Sequence, residues 1–185
     1  MSKSLHMNYS SSYVYMILNL VLLISGKLFV SATLLEDVCR QTHDQAFCLN
    51  VLGSDPRTQN ADLVNLGLIT IDLGSYSATG TKIKIHSLLL SEKDPLLKSR
   101  FVMCDEYYED AIAYLRDAAD YLKRGEYSDI AGFGGVAYND AYECENAFKK
   151  PPGFKSPLTD ENYRLEQFCE IITIIGNMLL VKKAY

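Results

Sequence analysis

The sequence predicts an all-α fold: an N-terminal helical hairpin followed by an up-down-up-down four-helix bundle, with two disulfides. Three observations predict it. Apolar residues recur at steps of three and four along most of the chain, the spacing of helices with one buried face. Short breakers separate these runs at Gly53-Ser54-Asp55-Pro56, at 91–94, at Gly125-Glu126 and at Lys150-Pro151-Pro152-Gly153. Links this short favour antiparallel neighbours. Five cysteines follow an N-terminal segment of secretory character, so cross-links are expected.

That segment, residues 1–32, contains no Asp or Glu. Lys3 and His6 lie in a Ser-rich start, an apolar run from Val14 to Ile24 follows, and Val30-Ser31-Ala32 supplies the small residues of a cleavage site. The run is about 11 residues against the roughly 20 that a membrane-spanning helix needs. Lys27 also interrupts its flank. The segment reads as a signal peptide cleaved after Ala32, and no membrane association is expected once it is gone. Residues 33–185 are then the mature domain, with the hairpin over 33–57 and the bundle over 58–185. Cleavage removes Lys3 and Lys27 and no acid, which takes the net charge from -5 to -7. Such a chain lacks the basic face that a nucleic-acid partner requires.

The hairpin is predicted from two short helices, Leu34 to Arg40 and Asp44 to Leu52, neither long enough to persist alone. The first bundle helix spans Asp62 to Leu90, with Leu66, Ile69, Leu73, Tyr76, Ile83 and Leu90 as its apolar seam. The second spans Pro95 to Arg124 on Leu97, Phe101, Cys104, Tyr108, Ala111, Leu115, Ala118 and Leu122. Asp94-Pro95 provides its N-cap and a proline at the first helical position, and Gly125 ends it. The third is marked by Ile130, Phe133, Ala137, Ala141, Cys144 and Phe148. Its Gly132, Gly134 and Gly135 lower helix propensity by about 1 kcal/mol each relative to Ala, and leave room for close approach by a neighbour or a partner. The fourth carries Leu165, Phe168, Ile172, Ile175 and Leu179. Thr159 is its expected N-cap, and Asp160 and Glu161 suit the dipole of its first turn.

The cysteines are Cys39, Cys48, Cys104, Cys144 and Cys169. Choosing the spare thiol and pairing the other four leaves fifteen arrangements open. Cys39 and Cys48 lie one on each short helix. Cys104 and Cys144 lie in the seams of the second and third bundle helices, which antiparallel packing can bring together. Closing loops of those lengths is worth roughly 3 and 4 kcal/mol. Cys169 reads as a buried thiol acting as a small hydrophobe. Zinc wants close Cys/His doublets, and no C-x-x-C occurs, so no metal site is expected.

Catalytic motifs are missing. After Ala32 the histidines are His43 and His86, neither beside a nucleophile motif. No G-x-S-x-G, H-E-x-x-H or phosphate-binding loop occurs, so neither an enzyme nor a cofactor is expected. Gly132-Phe133-Gly134-Gly135 lacks the preceding strand of a nucleotide loop. Glu109/Asp110 and Asp117/Asp120 read as solvated helix faces. A small-ligand carrier would need a cavity within the bundle, and the seams predict a filled core instead. The 13 tyrosines, with no Trp, are more suggestive. Tyr107, Tyr114 and Tyr121 are seven apart and line one outer stripe of the second bundle helix. Tyr buries a large area and keeps a polar tip, which suits an interface.

These features together resemble the plant invertase and pectin methylesterase inhibitor family. The framework is a cysteine pair with eight residues between, Cys39 and Cys48, and a later pair with about forty between, Cys104 and Cys144. Around it stand Ser54-Asp55-Pro56-Arg57, Asp62-Leu63, Leu66-Gly67, Asp94-Pro95, Tyr108, Asp110-Ala111-Ile112, Gly125-Glu126-Tyr127, Cys144-Glu145, Leu165-Glu166 and Cys169-Glu170-Ile171, in the family's order. The resemblance implies bonds Cys39–Cys48 and Cys104–Cys144, an extracellular cell-wall location and a protein target bound in a 1:1 complex. That target is pectin methylesterase in one branch and acid invertase in the other. Invertase inhibitors often carry Pro-Lys-Phe where this chain has Tyr127-Ser128-Asp129, and that departure points to the esterase branch. Pro151-Pro152 and the stretch from Leu165 to Ile172 look more like that branch too. Many members place Thr where this chain has Glu143. In the esterase branch the bundle helices lie across the enzyme's pectin groove and exclude substrate. The positions that match that interface are Glu106 and Asp110, with Tyr107, Tyr127, Asp129 and Asn139 beside them.

Overall fold

The computed structural model describes residues 34–183; the expected cleavage after Ala32 lies outside the described residues. Helix α1 covers 34–39 and α2 covers Gln45–Gly53. A 3₁₀ turn at Pro56–Asn60 leads into α3 (Leu63–Ser91), α4 (Pro95–Arg124), α5 (Ile130–Lys149) and α6 (Thr159–Lys183). The last four form the bundle. Each packs on its chain neighbour, and α3 closes the ring against α6.

Local chemistry sets most of these ends. Asp44, Asp62 and Asp94 each cap a helix: their side chains accept from Phe47 N, Asn65 N and both Leu96 N and Leu97 N. Gly125 ends α4 at φ 71°, a left-handed conformation that glycine adopts without penalty. At α6 the expectation needs correction. Thr159 is the first helical residue rather than the cap. Ser156 acts ahead of it, its Oγ accepting from Leu158 N at 3.1 Å, with Pro157 between. The Ser-Pro pair therefore does for α6 what Asp94-Pro95 does for α4.

The seam predicted for α4 is buried from Phe101 to Leu122. Tyr108 reaches across the bundle centre, its hydroxyl donating to Asn162 Oδ1 at 2.9 Å. Asn162 Nδ2 donates in turn to Glu145 Oε2 at 2.8 Å. The network ties α4, α6 and α5 together and satisfies the polar atoms that this burial would otherwise strand.

The seam predicted for α3 is wrong in its second half. Leu66 and Ile69 are buried, but Tyr76 is 83% exposed, Ile83 65% and Leu90 88%. The buried positions are instead Thr70, Gly74, Ala78, Thr81 and Ile85. A Cβ on Gly74 would stand 3.2 Å from Phe168 Cβ, so α3 approaches α6 closely at this point. Tyr76 and Ile83 lie off this buried face and are left outside.

The glycines of α5 divide in the same way. A Cβ on Gly134 would meet Thr173 Oγ1 at 2.6 Å and Cys169 O at 3.0 Å. Across the contact, a Cβ on Gly176 would meet Ala131 N at 2.7 Å. These two glycines let the α5 and α6 backbones touch. Gly132 and Gly135 face open space.

Disulfides join Cys39 to Cys48 and Cys104 to Cys144. The first ties α1 to α2 and the second staples α4 to α5. Cys169 is an unpaired, fully buried thiol, and burial pushes its pKa far above the ordinary value. The hairpin sits on α6. His43 N donates to Glu170 Oε1 at 3.1 Å, and Tyr163 donates its hydroxyl proton to Asp44 Oδ2 at 2.5 Å. Phe47 packs edge-on against Phe168 and Tyr163.

Candidate functional site

Glu106 and Asp110 are exposed on successive turns of α4, with half-buried Tyr107 between them. On their α3 side, Lys82 Nζ lies 3.0 Å from Asp105 Oδ1 and 2.9 Å from Glu109 Oε2. Glu106 and Asp110 share a hollow of about 380 Å³ with those three residues but take no part in the ion pairs. On their α5 side stand Asp140 and Glu143.

Asp140 is the unusual member. It is 8% exposed, and its Oδ2 has no hydrogen-bond partner among the described residues. Burial, and then the negative charge of Asp110, push its carboxyl pKa up to about 6. The Tyr107 phenol is pushed up as well, first by burial and then by Glu143, Asp140 and Glu106. Two helices thus set three carboxylates, Glu106, Asp140 and Glu143, around one tyrosine, with Asp110 beside Asp140. The field there is negative, and its ready ligand is a cationic side chain.

Among the described residues neither histidine is set up to activate a nucleophile. His86 Nε2 lies 2.8 Å from Asp105 Oδ1, but the neighbouring Ser87 hydroxyl donates to Ile83 O at 3.1 Å, a helix back-bond. His43 is paired with Glu170. Neither imidazole holds a nucleophile. Among the described residues no cluster of three or more His, Cys, Asp or Glu could hold a metal ion.

The family model described as Plant invertase/pectin methylesterase inhibitor matches residues 33–175. This chain belongs to that family. A pectinesterase inhibitor of Actinidia deliciosa is 35% identical over 93% of this chain and 96% of its own length. The cell wall / vacuolar inhibitor of fructosidase 2 of Arabidopsis thaliana is 29% identical over 92% of this chain and 99% of its own. The crystal structure of a mutant form of an Arabidopsis pectin methylesterase inhibitor superposes with a TM-score of 0.69 at 27% identity, covering 76% of this chain and 93% of that one. The plant invertase/pectin methylesterase inhibitor family consists of inhibitor proteins, not enzymes, and its helical bundle is the fold seen here.

Within this family member the residues singled out by sequence fall into two groups. Glu106, Tyr107 and Asp110 lie together, facing Asp140 and Glu143. Asn139 is exposed one helical turn from Glu143. Tyr127 and Asp129 do not join them. They occupy the α4–α5 link at one end of the bundle, about 20 Å along α4 from Asp110 at 1.5 Å per residue. There Lys183 Nζ stands 5.5 Å from the Tyr127 ring centroid, and the Ser128 hydroxyl donates to Asp129 Oδ2.

The tyrosine stripe also needs correction. Tyr107, Tyr114 and Tyr121 are half-buried against the core, not an outer stripe. Tyr114 and Tyr121 pack on Phe133 of α5 at 6.3 and 5.0 Å between ring centroids. They hold α4 to α5 and show solvent only part of each ring. Sequence reasoning missed Asp140. Its signal was present: Asp140 lies three residues after Ala137 and four before Cys144, a charged residue at a seam position.

Proposed function

We propose that this protein inhibits pectin methylesterase by stoichiometric, non-covalent occupation of the enzyme's pectin-binding cleft. The observation that carries the reading is the acidic α4–α5 face, where exposed Glu106 and Asp110 stand before the buried carboxyl of Asp140. A cleft that binds an anionic polymer offers basic side chains, and such a face is steered towards them. The interface comprises Glu106, Tyr107, Asp110 and Asn139, with Tyr127 and Asp129 reached only by a partner that extends to the bundle end. The relative at 35% identity carries a pectinesterase inhibitor's name, which supports the same target. Acid invertase is the second reading, favoured by the relatives named as fructosidase inhibitors. Tyr127-Ser128-Asp129 at the bundle end, in place of Pro-Lys-Phe, speaks against it.

The same reading places the protein in the apoplast, with residues 1–32 removed as a signal after Ala32. Two disulfides suit an oxidising compartment. Among the described residues no helix is long and apolar enough to cross a membrane.

The test is a parallel titration of the purified protein against a pectin methylesterase and an acid invertase, with wild type and Glu106→Lys. Inhibition of the esterase alone, weakened at least tenfold in the variant at unchanged helix content, is the expected result. Inhibition of invertase alone would refute the target. Equal potency of the variant would remove Glu106 from the interface.

A further inference from the structure

The groove between α3 and α6, beneath the end of α2, has no part in the inhibitory reading. It lies across the bundle from the α4–α5 face. The geometry points to this groove as a binding site for a small aromatic carboxylate, with the ring against Tyr76, Ile83 and Phe168 and the carboxylate on Arg164.

The groove is open to solvent along one side and offers about 570 Å³, within the range of small-ligand sites. Its walls are largely apolar: Val51 of α2, Leu73, Tyr76 and Ile83 of α3, and Phe168 of α6. Tyr76 and Ile83 are the large apolar side chains left off the buried face of α3, and the space between them is real. Apart from its chain neighbours and its own helix backbone, nothing lies within 4 Å of where a Cβ on Gly80 would stand. Phe47, Phe168 and Tyr163 already form an edge-to-face aromatic row at the α2–α6 contact. A guest ring lying over Gly80 extends that row from Phe168 towards Tyr76, in the offset geometry that aromatic quadrupoles favour.

Charge selects the other half of the ligand. The groove's ionisable side chains are Lys84, Glu161 and Arg164. Lys84 Nζ is held by Glu161 Oε1 at 2.6 Å and by Pro157 O at 2.8 Å. The Arg164 guanidinium has no hydrogen bond or ion pair among the described residues and is exposed at the rim. The groove therefore carries a net positive charge on a chain whose total is -5. An unengaged guanidinium beside an apolar trough matches a planar carboxylate, which it can bind in bidentate fashion.

The test titrates the disulfide-bonded, isotope-labelled protein with 4-hydroxycinnamate, its methyl ester and decanoate, read from backbone amide shifts. The expected result is saturable shifts at Ser77, Gly80 and Arg164 with 4-hydroxycinnamate, and binding at least tenfold weaker for the ester. Arg164→Ala should weaken the acid at least tenfold, and Gly80→Leu, which fills the trough, should abolish its binding. Both positions are solvent-facing, and circular dichroism verifies that the variants keep their helices. The ester comparison needs no variant and decides the charge argument by itself. Absence of saturable shifts, equal binding of acid and ester, or tighter binding of decanoate would each overturn the proposal. Esterase inhibition is measured on the same variants and is expected to be unchanged, so the two readings fail separately.

Discussion

Replacing Asp140 by Asn should change how the protein's stability responds to pH. In the folded state the carboxyl is 8% exposed, faces Asp110 and has its pKa raised to about 6. In the unfolded chain it returns to about 3.9. Between these values the folded state binds more protons than the unfolded one, so stability falls as pH rises through the window from 4 to 6. Above pH 6 the ionised, poorly solvated carboxylate costs the fold up to about 3 kcal/mol, because each tenfold change in proton affinity is worth about 1.4 kcal/mol. Comparing pH 5 with pH 7 samples part of that range, and linkage gives about 1.3 kcal/mol of extra stability for wild type at pH 5. An amide at this position cannot ionise, so the variant lacks this contribution. Other titrating groups are common to both chains and cancel in the difference. The assay is urea unfolding of both proteins at pH 5 and pH 7. With a denaturant slope of about 2 kcal/mol/M, the gap between the two midpoints should change by about 0.6 M between the two pH values. Midpoints that move in parallel would refute the reasoning, because Asp140 would then ionise as an ordinary surface carboxylate.

Two further outcomes follow from the core. Tyr108→Phe deletes the hydroxyl that satisfies Asn162 Oδ1, and leaving that buried acceptor unpaired should cost about 1–3 kcal/mol in urea unfolding; a loss under about 0.5 kcal/mol, the low end for a hydrogen bond, would mean that water replaces it. Gly134→Ala should destabilise by about 1–3 kcal/mol through overpacking against Thr173 and the Cys169 carbonyl, whereas Gly135→Ala, which meets nothing, should stabilise by up to about 1 kcal/mol. Equal effects at the two positions, read as melting temperatures, would rule out the close α5–α6 contact.

Much of the architecture is legible in the chain. Asp94-Pro95, Gly125 and Asp62 act through hydrogen bonds within a few residues, so their effect is local and readable. The α4 seam is readable because its neighbours accept side chains as large as Phe101 and Tyr108. The α3 seam fails for a non-local reason. Side-chain size suggests Tyr76 and Ile83 as core, but the inward face of α3 is chosen by where α4 and α6 pack on it, and that face carries Gly74, Ala78, Thr81 and Ile85. The candidate interface shows the same division. Glu106 and Asp110 are identifiable as matching acidic positions. That Asp140 joins them, while Tyr127 and Asp129 stand apart at the bundle end, depends on where α5 lies.

The sequence by itself determined the class of fold and most of the helix ends, because each is written in local spacing, and the cysteine positions with the motifs around them carried the resemblance to the family. Only the tertiary structure decided which face of α3 is buried, that the tyrosine row holds α4 to α5, and that Glu106, Asp140 and Glu143 converge on Tyr107. Those outcomes arise where two helix surfaces meet. The free energy of a side chain there depends on a neighbour distant in sequence, whose distance and charge no local pattern encodes.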